Sequence, residues 1–147
     1  MFANEVAKIE GVSAVLGTAD KMKCVELADR LLSSMEQIID VKDLDGTAFE
    51  SMCVKSAPRT RAYVKIEDGC ECRCTYCAIS AARGPVRSKD PHEVISEVEG
   101  LYKNGTLEIV LTGIETGSYG ADFDTKYDLA DLICQLDERH SCERIRL

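Results

Sequence analysis

The chain has 147 residues, 45% apolar and 30% charged, which is ordinary for a globular protein of one domain or for pieces of two. Its net charge of −8 argues against tight nonspecific binding to nucleic acid, which needs a basic surface. No apolar run approaches the roughly 20 residues of a membrane helix, and residues 1–5 do not begin a signal peptide. We therefore expect a cytoplasmic protein without membrane contact, whose thiols stay reduced.

The first segment, residues 1–56, predicts one strand and one helix of an α/β unit. A short apolar run over 12–16, bounded by glycines, predicts a buried strand. Asp20 can cap a helix, and Cys24 is expected to be a small buried hydrophobe beside its apolar face. The residues that recur at helical spacing and form this face are Val25, Ala28, Leu31, Leu32 and Met35.

The second segment, residues 57–147, follows a candidate boundary at Ser56-Ala57-Pro58 and predicts alternating strands and helices. Arg61 to Ile66 alternates polar and apolar side chains, which is typical of a strand. A helix is expected from the Asp90 cap to Asn104-Gly105, and another over 129–136. With strands over 107–111 and 144–147, this order predicts a parallel sheet.

Four of the eight cysteines fall within residues 70–77, a density that favours a metal site over disulfides. Cys70, Cys74 and Cys77 form CxxxCxxC, with Tyr76 before the last cysteine; a tighter CxCxxC begins at Cys72. Three thiolates without a fourth ligand can hold a four-iron cluster with one open iron. Two alternatives stay open: a zinc-binding interaction module with Cys53 as a remote fourth ligand, and a small electron carrier.

CxxxCxxC with an aromatic residue before the third cysteine resembles the signature of radical S-adenosylmethionine (SAM) enzymes. The flanking stretches 61–69, 83–88 and 108–120 are similar to the methylthiotransferases, most of all to the branch that modifies threonylcarbamoyladenosine in tRNA. Two places depart from that family. Cys72 stands where a polar, non-cysteine residue is usual, and the run 78–82 is smaller than the family's.

The resemblance implies an α/β fold in which residues 1–56 end an N-terminal methylthiotransferase domain. Residues 57–147 would form the first three β/α units of a partial TIM-like radical SAM barrel. The chain would then be a fragment, without ligands for the family's second 4Fe-4S cluster, and inactive alone in the transfer of a methylthio group to tRNA. Half a barrel should expose apolar side chains around 107–111 and Ile145, so association or poor solubility is expected.

The resemblance also implies the roles of the site residues. Cys70, Cys74 and Cys77 would hold a 4Fe-4S cluster whose open iron binds SAM, with Tyr76 beside the adenine. Gly113 and Glu115 would face the methionyl ammonium group. The radical made from SAM would take a hydrogen from C2 of the modified adenosine 37, while a second cluster and another SAM supply the methylthio group.

The partners implied are tRNA and an electron donor such as flavodoxin or ferredoxin; the role of Cys72 and the oligomeric state stay undetermined. The alternative substrates are those of the other branches, isopentenyladenosine in tRNA or a ribosomal protein.

Overall fold

The structure, a computed structural model, describes residues 2–56 and 60–147. The chain divides into two compact units, one ending at Glu50 and one running from Ser51 to Leu147. The candidate boundary at residues 56–58 falls partly outside the described residues, so a division after residue 56 stays a prediction. In the described part of the chain, no helix is long and apolar enough to cross a membrane.

The first unit is built around a strand, a helix and a second strand. After the short helix α1 (Ala3–Val6) come β1 (Ala14–Leu16), α2 (Cys24–Ser34) and β2 (Ile38–Asp40). β2 pairs with β1 in parallel, with Ala14 opposite Ile38 and Leu16 opposite Asp40. Two parallel strands need a crossover between them, and α2 supplies it. The strand predicted over 12–16 is therefore present, but its residues are half-buried and its partner β2 was not predicted.

The apolar face predicted for α2 is exposed in the first unit. Leu27 is buried, whereas Val25, Leu32 and Met35 are 67%, 84% and 91% exposed. The expected burial of Cys24 is also wrong, because this residue is exposed. Helical spacing located the helix correctly, but the side that packs carries Leu27 rather than the longer apolar face.

The second unit contains a three-stranded parallel sheet with helices between its strands. The sheet order is β3-β6-β7, and Arg61, Glu108 and Arg144 stand at the same register position. The predicted order of strand, helix, strand, helix and strand is confirmed; closure into a larger barrel stays a prediction. The elements are β3 (Arg61–Lys65), β4 (Glu67–Asp68), α3 (Ile79–Arg83), β5 (Arg87–Ser88), α4 (Pro91–Lys103), β6 (Glu108–Thr112), α5 (Leu129–Glu138) and β7 (Arg144–Arg146).

The core of the second unit lies on one face of this sheet. Ala62 and Val64 of β3 and Ile109 and Leu111 of β6 are buried there, as the period-two alternation of β3 predicts. Fully buried side chains on α4 and α5 also belong to this core: Val94, Val98, Leu101, Leu132 and Leu136. Burial of these side chains is the main force that stabilises the unit.

The opposite face of the sheet carries a cluster of ion pairs beside Tyr63 and Val110. Glu108 forms ion pairs with Arg61, with Arg144 at 3.3 Å and with Arg146 at 3.5 Å, which spans all three strands. Ile109 and Leu111 are buried against the helices, and Ile145 is half-buried against the same core. Around 107–111, Leu107 is exposed and Val110 is half-buried, so the expectation of uncovered apolar side chains is confirmed there in part, whereas Ile109 and Leu111 are covered by the helices.

Both ends of α4 follow the signals read from the sequence. The Asp90 carboxylate accepts hydrogen bonds from the backbone N–H groups of His92 (2.8 Å) and Glu93 (3.2 Å), and Pro91 occupies the first turn. The helix ends at Asn104, followed by Gly105 with φ of +91°. These caps fix the length of the helix that covers the sheet.

Candidate functional site

The cysteine-rich segment is a loop whose two ends are held together by a short ribbon. β4, just before the loop, pairs antiparallel with β5, which follows α3. Gly69 has φ of +92°, and a Cβ there would lie 1.8 Å from the carbonyl oxygen of Pro85, so only glycine fits. The Cys70 N–H donates to the Gly84 carbonyl at 3.1 Å. The loop is therefore closed at its base by contacts within the chain.

The four cysteines of this loop are free thiols. Cys70 and Cys77 are half-buried, and Cys72 and Cys74 are exposed. The pKa of the Cys72 thiol is raised, first by a hydrogen bond with the Cys70 thiol, then by the negative charge of Cys70, with smaller contributions that include Cys74 and Glu115. Cys70 and Cys72 therefore lie side by side.

The three predicted ligands fit an iron–sulfur cluster by their chemistry. Among residues 2–56 and 60–147, no three Cys, His, Asp or Glu side chains are gathered into a group that could hold a metal ion. Cys70, Cys74 and Cys77 are nevertheless free thiols on one accessible loop, and thiolates are the usual ligands of such clusters. The three thiols that would hold the cluster therefore lie above a base that is closed by backbone contacts.

The remote ligand of the zinc alternative lies elsewhere. The Cys53 sulfur is 3.8 Å from Lys89 Nζ and 3.9 Å from the Ser51 hydroxyl oxygen. Within the described residues, Cys53 thus belongs to no group of three possible metal ligands. A four-thiolate zinc site has no preformed counterpart in the described residues.

Tyr76, predicted to lie beside the adenine of SAM, is 91% exposed. It therefore contributes nothing to the core of the second unit. Its contact with a nucleoside stays a prediction.

The loop that follows β6 carries the other two predicted residues, Gly113 and Glu115. β3 and β6 run in parallel, so their carboxyl ends, and the loops that follow them, meet at one edge of the sheet. The Glu115 carboxylate accepts a hydrogen bond from the Gly117 N–H at 3.2 Å and is close enough to Cys72 to influence its pKa. The structure therefore brings this loop and the cysteine loop together.

Glu67 is a site residue that sequence reasoning missed. It is fully buried at the base of the cysteine loop, and its Oε2 accepts hydrogen bonds from the N–H groups of Ile114 (2.8 Å) and Glu115 (3.0 Å). Burial raises the pKa of its carboxyl group, and the two N–H donors oppose that rise. In the alternation from Arg61 to Ile66, Glu67 falls on the exposed side, so the pattern alone could not have identified it.

A second carboxylate at the same base, Asp68, gathers the basic side chains. Lys65 donates to its Oδ2, Arg83 lies 3.5 Å away and the buried Arg87 lies 3.8 Å away. Burial raises the pKa of Asp68, but the hydrogen bond and charge of Lys65, the Gly69 N–H and the charge of Arg83 together outweigh it, so the net shift of the pKa is downward. Asp68 thus holds three cationic side chains at the base of the cysteine loop.

Known proteins are similar to this chain over the segment that contains the cysteine loop and the parallel sheet. A sequence model of the radical SAM superfamily matches residues 64–146, from β3 to β7. The chain is 40% identical over 146 residues to the threonylcarbamoyladenosine tRNA methylthiotransferase MtaB of Bacillus subtilis (strain 168), covering 97% of this chain and 32% of the relative.

A second branch of relatives is also similar. The tRNA-2-methylthio-N(6)-dimethylallyladenosine synthase of Clostridioides difficile (strain 630) is 32% identical over 139 residues, covering 95% of this chain and 29% of that protein. The synthase of the same name from Desulfitobacterium hafniense (strain Y51) is 35% identical over 120 residues, covering 80% of this chain and 27% of the relative. The chain thus spans about a third of the length of the curated relatives it matches.

Proposed function

Because this chain belongs to the radical SAM superfamily, we propose that it carries the radical chemistry of a tRNA methylthiotransferase acting on C2 of N6-threonylcarbamoyladenosine 37. The observation that carries this proposal is the three-cysteine loop, whose closed base lies beside the loop that follows β6. The choice of substrate is supported by the 40% identity to the threonylcarbamoyladenosine enzyme, against 32% for the Clostridioides dimethylallyladenosine synthase.

Cys70, Cys74 and Cys77 are proposed to hold the 4Fe-4S cluster through their thiolates. Three protein ligands leave one iron for the amino and carboxylate groups of SAM. When bound, the cluster supplies the electron that cleaves SAM, which is chemistry that belongs to the cofactor. Cys72 lies outside the CxxxCxxC spacing and is proposed to be a bystander rather than a ligand.

The chain's own residues are proposed to orient SAM. Gly113 and Glu115 lie at the carboxyl edge of the parallel strands, where α/β folds bind ligands. An exposed carboxylate at Glu115 can pair with the methionyl ammonium group, and exposed Tyr76 can stack on the adenine ring. Both side chains are accessible, as an incoming ligand requires.

The proposed partners are tRNA and an electron donor such as flavodoxin or ferredoxin. Lys65 and Arg83, whose side chains are partly exposed next to Asp68, offer cationic groups to an anionic substrate at this edge. The sulfur of the methylthio group is proposed to come from a second 4Fe-4S cluster in the complete enzyme, whose ligands have no match in this sequence.

The test measures SAM cleavage by the 147-residue chain reconstituted anaerobically with iron and sulfide. The reduced protein is given SAM and an anticodon stem–loop carrying threonylcarbamoyladenosine, isopentenyladenosine or unmodified adenosine at position 37. We expect 5′-deoxyadenosine to form only in iron-loaded protein, and most with the threonylcarbamoyl substrate. The control is the Cys70→Ala/Cys74→Ala/Cys77→Ala variant, which retains Cys72.

Each other outcome identifies a different function. Stronger cleavage with the isopentenyl stem–loop would assign the chain to the dimethylallyladenosine branch, and no response to any RNA would remove the tRNA proposal. Iron-loaded protein that ignores SAM would be an electron carrier. Colourless, zinc-loaded protein would be a metal-binding interaction module.

A further inference from the structure

We infer that Glu67 is a positioning residue that fixes the loop following β6 against the base of the cysteine loop. The inference rests on the proposed function, because the ligand whose binding Glu67 would control is SAM. It adds a residue outside the cysteine motif and outside the predicted SAM contacts. Glu67 is argued to act through Gly113 and Glu115 and not by touching SAM itself.

Two hydrogen bonds to one oxygen form the link between the loops. Glu67 Oε2 accepts the N–H groups of both Ile114 and Glu115, which stand 47 and 48 residues away in the sequence. Glu67 lies three residues before Cys70, on the strand that leads into the cysteine loop. One carboxylate therefore connects the segment that carries the proposed cluster ligands to the segment that carries the proposed ammonium contact.

The packing around Gly113 shows how close this approach is. A Cβ added at Gly113 would lie 2.5 Å from Glu67 Oε2, 3.1 Å from its Cβ and 3.2 Å from its carbonyl oxygen. Glycine at position 113 thus lets the loop lie directly on Glu67. Next to this contact, the Ile66 N–H donates to the Thr112 carbonyl at 2.9 Å and extends the pairing of β3 with β6.

The second carboxylate oxygen shows that the arrangement is not simply a satisfied core contact. Glu67 Oε1 is buried and has no hydrogen-bond partner in the part of the chain that the structure describes. A buried oxygen without a partner costs stability, so a purely structural site would be served better by another side chain. A neutral carboxyl group or an amide would keep the acceptor at Oε2 and lower this cost.

That chemistry defines the test, which compares Glu67→Gln with Glu67→Met. Glutamine keeps an acceptor for the two N–H groups, while methionine keeps the approximate length and volume without one. We expect the SAM concentration that gives half of the cluster's spectral change to rise about tenfold in Glu67→Met. In Glu67→Gln it should stay within about threefold of the original value.

Hydrogen exchange provides a readout that needs neither cluster nor activity. In the chain without iron, the amides of Ile114 and Glu115 should exchange faster in Glu67→Met than in Glu67→Gln. Iron loading should be the same in both variants, because neither change touches a cysteine.

Glu97 offers a matched control. It is a second buried carboxylate of the same unit, and it accepts a hydrogen bond from the Val54 N–H at 2.7 Å while pairing with buried Lys89. Glu97→Gln and Glu97→Met should change stability without changing the SAM response. A loss of SAM binding in these variants would show that any buried carboxylate has the same effect, and would overturn the inference.

The remaining outcomes also bear on the inference or on the proposed function. Equal SAM binding in Glu67→Gln, Glu67→Met and the original chain would overturn the inference and leave the proposed function intact. Equal losses in both would show that negative charge, and not an acceptor, is required. If Glu67→Met does not fold, Glu67→Asp, whose carboxylate is one methylene shorter and falls short of the two N–H groups, should weaken SAM binding instead. No SAM response in the fully iron-loaded original chain would remove the proposed function, and this inference with it.

Discussion

Helices α2 and α4 both carry apolar residues at helical spacing, but these side chains are buried in α4 and mostly exposed in α2. In α4, Val94, Val98 and Leu101 are fully buried against the sheet of the second unit. In α2, Val25 and Leu32 are 67% and 84% exposed. Helical periodicity states which side chains share a face; whether that face is buried depends on what the rest of the unit places against it.

The same contrast separates the cysteines of the two units. Cys24 begins α2 and is an isolated thiol, whereas Cys70 to Cys77 lie on a loop at the carboxyl edge of a parallel sheet. The buried face of α4 holds that sheet in place, and the sheet brings the loops after β3 and β6 together. A completed core is thus what gives the second unit a candidate site.

The largest expected effect is on cluster loading, and it tests the contrast between the cysteines of the two units. After anaerobic reconstitution, Cys70→Ala, Cys74→Ala or Cys77→Ala should abolish cluster loading, because three thiolates are the minimum proposed for about four irons. Iron and sulfide analysis and the absorbance near roughly 400 nm measure the result.

Cys24→Ala and Cys72→Ala are the matched controls and should leave most of the iron bound. Cys24 and Cys72 are also exposed thiols. These two controls therefore distinguish the loss of a cluster ligand from the loss of any exposed cysteine. If Cys72→Ala lost more iron than Cys70→Ala, the ligands would follow the CxCxxC spacing instead.

The next effect concerns the helix faces themselves. Leu101→Ala should lower the free energy of unfolding of the second unit by about 2–5 kcal/mol, since it opens a cavity in a fully buried core. Leu32→Ala, the same change on the exposed face of α2, should stay within about 0.5 kcal/mol. Urea unfolding of the 147-residue chain measures the change in the free energy of unfolding for both variants. Hydrogen exchange then shows in which unit the change occurs. A comparable loss at Leu32 would show that this face is covered in solution.

Much of the second unit could be predicted because short-range rules and burial agree there. The alternation in β3 identified Ala62 and Val64 as buried, and Asp90 and Gly105 marked the ends of α4. The cysteine spacing identified the candidate ligands without any structure. These are signals that a side chain carries regardless of its distant neighbours.

The features that the sequence did not reveal depend on contacts between distant residues. Glu67 has its partners at Ile114 and Glu115, and the chain must leave the alternation of β3 to bury it. The ion pairs across the three strands likewise exist because Arg61, Glu108 and Arg144 meet at one register position. Neither arrangement leaves a periodic trace in the sequence.

A smaller effect tests the capping of α4. Asp90→Ala should cost about 1 kcal/mol, because the N–H groups of His92 and Glu93 lose their acceptor. Asp90→Asn, which keeps an acceptor, should recover most of that loss. Shifts of the urea midpoint at constant slope measure the difference. An unchanged midpoint in Asp90→Ala would show that water replaces the carboxylate at no cost.

The smallest effect compares how the two helices end. α2 ends at Met35, which has the left-handed φ of 54° and is 91% exposed, whereas Gly105 after α4 has φ of +91° with open space where a Cβ would be. Gly105→Ala should therefore cost about 1 kcal/mol from backbone strain alone. Met35→Gly should relieve similar strain and stabilise the first unit by about 0.5 kcal/mol, since almost no buried surface is lost. Met35→Ala keeps the strain, removes the side chain and should be neutral in the same urea unfolding measurement. If Met35→Gly and Met35→Ala were equally destabilising, the Met35 side chain would be packed in solution, and the contrast between an open α2 face and a closed α4 face would no longer hold.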